Sequence, residues 1–585
     1  MVDPRLKAIW DILYELRRHK TGLIGFIIMM AEVLSIPLFP LIASADAIDH
    51  WDDFDYWQEQ MTPRLAPPIW VSYLVPTAPP PTHDLQPQVI KEVYDFRKFS
   101  DFKEFWFKLH GDEIYTNPIL RNLSRWGGLD QLIREQWLSE KIRVGKVVFI
   151  RIIYFYKQDR PAPPIDVLFK LKLMIDPAIY SKLTDPMYRE GIGIYIVRPD
   201  NITISLIPGT HYPDNLYDIN QYADIRDTQL LSMLGIPFTM ETGTANKSRI
   251  KLCPGDSYWS FSFMKLQQRL QSYGFGTGLI EILRPLIEES GENLTMGQYI
   301  NLVTAIFSRA AKGVFEGKSG ILTGIYRFEF VFLLRLKPED ADADLNVDPV
   351  RCVLAGGFGL MGTDDNGRDL WSAIVYGVRW ALLLGVVVST TTTILGAIYG
   401  TISAYFGGKL DMVMQQIARV YVSIPSFPLL ILLSWSIGRS LWLLIAFLIL
   451  FGWMGGQFTV RSMALQIREQ TYIEAARALG ASHARIIFRY VFPQVTPYLF
   501  ANIALGVPSA ILTEAGLSYL GLGDPTLVTW GKLLYEASGS GGFAGLGGAW
   551  WWIVFPGLAI TITSLAFIMF GQAIERIIEP RLKTR

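Results

Sequence analysis

The sequence predicts a mostly α-helical membrane protein of six spans, with one large α+β domain inserted between the first and second. Three observations carry that expectation. Half of the 585 residues are hydrophobic (50%), and they concentrate in about 21–43 and again across 374–573. The block between these apolar regions has mixed composition and contains no convincing span. Lys and Arg gather at three places that all fall on one side of a six-span path.

Each span needs about 20 mainly apolar residues. The expected spans cover 21–43, 374–405, 413–437, 441–460, 496–513 and 550–570. Arg5, Lys7, Arg17, Arg18 and Lys20 precede the first. Arg461, Arg468, Arg477, Arg485 and Arg489 lie between the fourth and fifth, and Arg576, Arg581, Lys583 and Arg585 follow the sixth. A positive side is a cytoplasmic side. Both termini are therefore expected in the cytoplasm and the inserted block outside it. The first span ends in Ala43-Ser44-Ala45, which has the form of a signal-cleavage site. Its apolar stretch is long for a signal peptide, so an uncleaved signal anchor is expected. Glu32 within it is costly in lipid and should meet protein or water.

Three regions follow: 1–45, the N-terminus and first span; 46–357, the extracytoplasmic insertion; and 358–585, the helical core with five spans. The insertion opens on a Pro-rich stretch, from Pro63 to Pro87, that favours extended backbone. Trp51, Trp57 and Trp70 suit either packing on a domain or the membrane interface. Strands are expected at 146–156, 167–174, 192–197 and 320–336, where β-branched and aromatic residues dominate. Helices are expected at 102–109, 129–138 and 264–286.

Several function classes are excluded. Lys plus Arg equal Asp plus Glu, at 54 each, which gives no basic surface for nucleic acid. Gly313 to Ser319 looks like a phosphate-binding loop, but one residue is missing between its glycines. No ATPase site is expected. His50, His83, His110 and His211 show no metal-ligand spacing, and no nucleophile–base set stands out, so no catalytic residue, metal or cofactor is expected. Cys253 and Cys352 are the two cysteines, both in the insertion, where an oxidising compartment permits a disulfide or two buried thiols.

Between the fourth and fifth spans lies a short polar helix, 471–480. Tyr472, Ala475, Ala476 and Leu479 fall at i, i+3, i+4 and i+7 and share one face. Glu474 and Arg477 lie at i, i+3, within pairing reach. Gly480 suits the helix C-cap. Ahead of the second span, Asp364, Asp365, Arg368 and Asp369 suit an ion-paired cap on that helix; Asp365 or Asp369 alternatively suits contact with an amine.

Residues 362–581 resemble the permease subunit of dipeptide/oligopeptide-type ABC importers. The resemblance rests on motifs in order: 362–369 before the second span; Tyr405-Phe406-Gly407-Gly408 with Asp411 after it; Glu474-Ala475-Ala476 through Gly480, with Pro493 beyond; 514–523 with Trp530-Gly531; and Phe555-Pro556-Gly557 with Glu579-Pro580-Arg581. One departure is Tyr490-Val491-Phe492-Pro493 where the family has Ile-x-Leu-Pro. The other is the insertion, which is much longer than the family's usual connection. The resemblance implies a type I ABC importer-like core that forms half of a translocation pathway for peptides. It implies four kinds of neighbour: a second homologous permease, two cytoplasmic ATP-binding subunits, an extracytoplasmic substrate-binding protein and the lipid bilayer. It assigns ATPase coupling to Tyr472, Glu474, Ala475, Ala476, Arg477, Leu479 and Gly480. Oligosaccharides or metal chelates are alternative cargoes. A membrane-anchored sensor or envelope-interaction protein is the alternative of another class.

Overall fold

The computed structural model describes residues 15–53, 56–57, 60–110, 117–140, 144–175, 189–207, 217–218, 238–242, 248–252, 258–272, 276–292, 301–316, 318–343, 345–539 and 548–578. Arg5, Lys7, Cys253, Gly317, Arg581, Lys583 and Arg585 lie outside the described residues. The chain divides into two compact units, one of residues 1–57 with 359–585 and one of 58–358. Residues 46–57 thus group with the helical unit rather than with the insertion, because Trp51 and Trp57 are buried there.

The chain begins in the helical unit with α1 (Lys20–Ile42), an apolar helix that carries Pro37 and Pro40. A short α2 (Ala45–Asp49) follows, N-capped by the Ser44 hydroxyl, which accepts from the Ala47 amide.

The second unit then runs from α3 (Ile69–Leu74) through β1 (His83–Leu85), β2 (Pro87–Asp95), α4 (Phe99–His110), α5 (Pro118–Trp126) and α6 (Leu129–Glu140). Strands β3 (Lys146–Gln158), β4 (Asp166–Ile175), β5 (Arg189–Val197), β6 (Thr203–Ser205), β7 (Tyr217–Asp218), β8 (Phe238–Thr242), β9 (Ser248–Leu252) and β10 (Tyr258–Ser262) come next. Helices α7 (Phe263–Ser272), α8 (Gly276–Ser290) and α9 (Leu302–Phe307) precede β11 (Gly324–Leu336) and β12 (Leu345–Ala355). One antiparallel sheet has the order β1-β12-β4-β10. A second has the order β2-β3-β11-β5-β6, with β7 also on β5.

The inner strand β3 reads as a nearly continuous apolar run because it is buried on both faces. Val148, Ile150, Ile152 and Tyr154 point into a core shared with Phe169, Trp259 and Phe261 of the other sheet. Val147 and Phe149 point the other way, onto Phe102, Phe105 and Trp106 of α4 and Ile133 of α6. Cys352 is buried in the first of these cores. The helix expected at 264–286 is two helices, α7 and α8.

The helical unit resumes with α10 (Leu370–Phe406), α11 (Gly408–Val422), α12 (Ser426–Ile437), α13 (Leu441–Gly452), α14 (Gln457–Arg468), α15 (Thr471–Ala478) and α16 (His483–Ile486). A π-helical turn, Ile487–Val491, leads into α17 (Phe492–Tyr519), followed by α18 (Trp530–Gly539) and α19 (Trp551–Ile578). Four stretches among the described residues are long and apolar enough to cross a membrane: Lys20–Ile42, Leu370–Phe406, His483–Tyr519 and Trp550–Ile577. The expected third and fourth spans are each a bent pair. α11 and α12 meet at 66°, and α13 and α14 at 45°, so the count reaches six if each pair is one span.

Small residues let these helices approach closely. A Cβ on Gly22 would lie 2.1 Å from the Cβ of Ala573, and one on Gly25 would lie 2.5 Å from the Ala566 carbonyl. α1 therefore packs backbone to backbone on α19. At the same seam the Thr563 hydroxyl donates to Glu32 Oε1 at 2.6 Å, so Glu32 meets protein.

Candidate functional site

The short helix α15 is built to stay rigid. Its end is closed by a Schellman motif: the Gly480 amide bonds the Arg477 carbonyl at 3.0 Å and the Ala481 amide bonds the Ala476 carbonyl at 3.1 Å. Gly480 adopts φ +79°, the left-handed geometry this motif requires. Nothing lies within 4 Å of the position its Cβ would take.

Burial divides the helix into two faces. Ile473 is 0% exposed and packs with Ala404, Tyr405, Ala464, Ile486, Ile487 and Val491. Tyr472 is 41% exposed and Leu479 is 88% exposed. Glu474, Ala475 and Arg477 are also exposed. Ala476, expected on the outer face, is instead buried. It sits at the boundary between the faces, and the small alanine lets the helix settle onto its own chain. Glu474 and Arg477 do not pair; the Arg477 guanidinium lies 5.6 Å from the centre of the Tyr405 ring.

Polar contacts fasten this region to the ends of the long helices. The Tyr405 hydroxyl and His483 Nδ1 share a hydrogen bond of 2.8 Å. Arg468 Nη1 donates to the Ala404 carbonyl at 2.8 Å. Arg461 makes a two-pronged pair with Asp411, Nε to Oδ1 at 2.7 Å and Nη2 to Oδ2 at 2.5 Å. Ser403 also donates to Asp411, and Gln415 bridges Ser403 and Gln457 at 3.0 and 3.1 Å. Paired, hydrogen-bonded charge is how such groups are accommodated inside a membrane protein. The outcome is one connected piece: α10, α11, α14, α15 and the start of the fifth spanning stretch.

A second polar cluster caps α10 at its opposite end. Asp369 is the N-cap and accepts from the Ser372 amide at 3.0 Å and the Ser372 hydroxyl at 2.6 Å. Asp364 is fully buried and accepts from the Asn366 and Arg368 amides at 2.9 and 2.8 Å. Its other oxygen pairs with Arg368 Nε. Arg368 reaches Glu536 of α18 at 2.6 Å and stacks its guanidinium 4.3 Å from the Trp51 ring. Lys532 extends the cluster to Asp52 at 3.2 Å. Asp365 is half-buried and its charge acts on the same guanidinium. Burial works against the charge on Arg368, but the carboxylates of Asp364 and Glu536 outweigh it and its pKa is raised. Burial raises Glu536 above the usual carboxylate range, against the opposing pull of Arg368 and Lys532.

Sequence reasoning grouped the four residues before α10 but not their partners Trp51, Glu536 and Lys532, which come from distant segments. It also missed Ile473. The signal for Ile473 was present, since Ile473 and Ala476 are an i, i+3 apolar pair on the face away from Glu474 and Ala475. The proposed disulfide partner of Cys352, Cys253, lies outside the described residues.

Residues 393–584 match the family described as the binding-protein-dependent transport system inner membrane component. The oligopeptide transport system permease protein OppC of Bacillus subtilis is 34% identical over 223 residues, covering 38% of this chain and 72% of that protein. The dipeptide transport system permease protein DppC of the same organism is 34% identical over 223 residues, covering 38% and 68%. OppC of Haemophilus influenzae is 32% identical over 283 residues, covering 47% and 89%. Among solved structures, the MetNI methionine ABC transporter matches with 20% identity and a TM-score of 0.30, over 37% of this chain and 98% of that one.

Proposed function

Because this chain belongs to the family of binding-protein-dependent transport system inner membrane components, we propose that it forms half of the translocation pathway of a peptide importer. The relatives' names, oligopeptide and dipeptide permeases, support the cargo class. A second, homologous permease completes the pathway in this reading, and two cytoplasmic ATP-binding subunits power it. The path has six spans, with α11–α12 and α13–α14 each crossing once. Both termini and α15 are cytoplasmic, and the insertion faces outward.

The observation that carries the coupling role is the division of α15. Ile473 anchors it to the ends of the spans, while Tyr472, Ala475 and Leu479 are left for a partner. Closure of the ATPase pair pushes on the outer face, and the inner face passes that push to α10, α14 and the fifth span as rigid-body motion. Ala475 matters because a larger side chain would lift the helix out of the partner's groove. Reconstitution tests the reading. Ala475→Arg should leave the permease inserted and folded but abolish substrate-stimulated ATP hydrolysis. Unchanged stimulation in that variant defeats the coupling assignment. A permease that co-purifies with envelope components and no ATPase subunits defeats the importer reading altogether.

The insertion is proposed as a platform for the substrate-binding protein, since it joins the chain directly ahead of the second span. Replacing residues 60–350 with a short linker should reduce uptake. Full uptake by that variant would show that the platform is dispensable.

A further inference from the structure

The insertion contains a cleft that the transport reading does not use. It opens between α4, α6 and the end of the larger sheet, with a volume near 340 Å³. Phe96, Phe102, Phe105 and Trp106 line one side, and Gln136, Glu140 and Arg335 contribute the polar groups. The aromatic wall is held in place. Phe96 meets Phe102 edge-on at 5.0 Å and Phe105 at 5.2 Å. Trp106 Nε1 donates to Gln136 Oε1 at 2.6 Å, and Trp137 Nε1 donates to the Phe96 carbonyl at 2.7 Å. The first bond leaves the Gln136 amide nitrogen free to donate.

The charges are the informative part. Arg335 projects from β11 on the helix-covered face, directly across from Val147. Glu140 stands on the last turn of α6. Both are half-buried, and among the described residues neither has a side-chain partner. They do not pair with each other either. A cleft lined by an unpaired cation and an unpaired anion, with an aromatic wall beside them, suits a ligand that brings both counter-charges and an apolar group. A lone anion would satisfy Arg335 but meet repulsion from Glu140. An apolar ligand would leave both charges unanswered, at the cost of their desolvation.

We propose that this cleft binds a free amino acid or dipeptide with an apolar side chain. Arg335 takes the carboxylate in a two-pronged contact, Glu140 takes the ammonium, and the side chain lies on Phe105 and Trp106. The volume lies at the lower end of the range for small-molecule sites. The inference is independent of the transport reading, because the family match covers 393–584 and the cleft lies in the other unit.

Photo-crosslinking on the purified full chain tests it, with a Leu-Leu dipeptide carrying a side-chain diazirine as the probe. Mass spectrometry should place adducts within 102–106 or 136–140. Unlabelled Leu-Leu should compete, and the N-acetylated, C-amidated dipeptide should not. Arg335→Ala and Glu140→Gln should each lower labelling about tenfold at sub-saturating probe, with an unchanged melting temperature. If Arg335→Ala fails to fold, the competition pair on the unaltered protein decides. No adduct in those segments at millimolar probe, or equal competition by the blocked dipeptide, overturns the proposal. Adducts confined to 359–585 overturn it too, while leaving the transport reading intact.

Discussion

Leu479→Ala separates the two faces of α15. Leu479 is 88% exposed, so truncating it removes almost no contact within the chain. Surface changes of this kind shift stability by at most about 0.5 kcal/mol. If an ATPase subunit buries this side chain, the change forfeits about 1.5–3 kcal/mol of transfer free energy. That corresponds to a Kd weakened roughly 10- to 150-fold. The assay is a titration of ATPase subunit onto the permease pair in nanodiscs, read by interferometry, with a melting curve on the same sample. Ile473→Ala is the counterpart. It removes a fully buried side chain and should cost about 2–5 kcal/mol of local packing, lowering the melting temperature. A Leu479→Ala permease that binds within twofold of the parent refutes the docking face. So does one that melts as early as Ile473→Ala.

Three other outcomes follow from the geometry. Gly480→Ala should cost about 1–2 kcal/mol, since φ +79° is strained for any side chain and no atom waits within 4 Å to add a clash. Urea titration of the reconstituted protein measures it, and a cost near zero would mean the cap is not held. Arg368→Met should destabilise the cap of α10 by about 3–5 kcal/mol, because it leaves Asp364 charged, buried and without its cation. Adding Asp364→Asn should recover part of that loss, and a strictly additive double mutant would show that the pair is not coupled. Asp166 is buried and its pKa is pushed up to about 6, burial outweighing its bonds from Ser262, Met264 and Val167. Its proton is held more tightly in the folded chain than in the unfolded one, where the value is about 3.9. The resulting stabilisation is complete below about pH 4 and is lost as pH rises through about 6. The melting temperature of the parent relative to Asp166→Asn should therefore rise on acidification from pH 7 to 4, by the equivalent of about 2 kcal/mol. A flat difference would place the carboxyl at its ordinary value.

What the sequence made legible follows from how local each signal is. Long helices such as α10 and α17 announce themselves because every residue in them contributes to one hydropathy average. That same average hides a bend. The breaks at Ser423–Pro425 and around Gly455 and Gly456 were visible as residues, but averaging merged α11 with α12 and α13 with α14. In the insertion, β3 and β11 were legible because burial on both faces removes the polar alternation that would have obscured them. β2 was not, since it begins at Pro87 and its polar residues Gln88, Lys91 and Glu92 read as loop. Gly480 was legible as a cap because helix termination is a local event.

The inward turn of Ala476 was harder to read than a cap, because the surface under this helix, which packs on its neighbour Ile473, comes from Tyr405 and Ala464 on other helices. The Asp411–Arg461 pair shows the same limit more sharply. On sequence, Arg461 served as one of several positive residues marking a side of the membrane. In the fold it is spent on Asp411 and joins α14 to α11 at the foot of α10. A residue can satisfy the charge rule of the membrane and still be fixed in a polar joint. Here that joint lies in the same connected piece as α15, on the route along which a push at Leu479 would reach the spans. Neutralising Arg461 should therefore weaken the transmission of that push even though topology, carried by the other basic residues, is preserved.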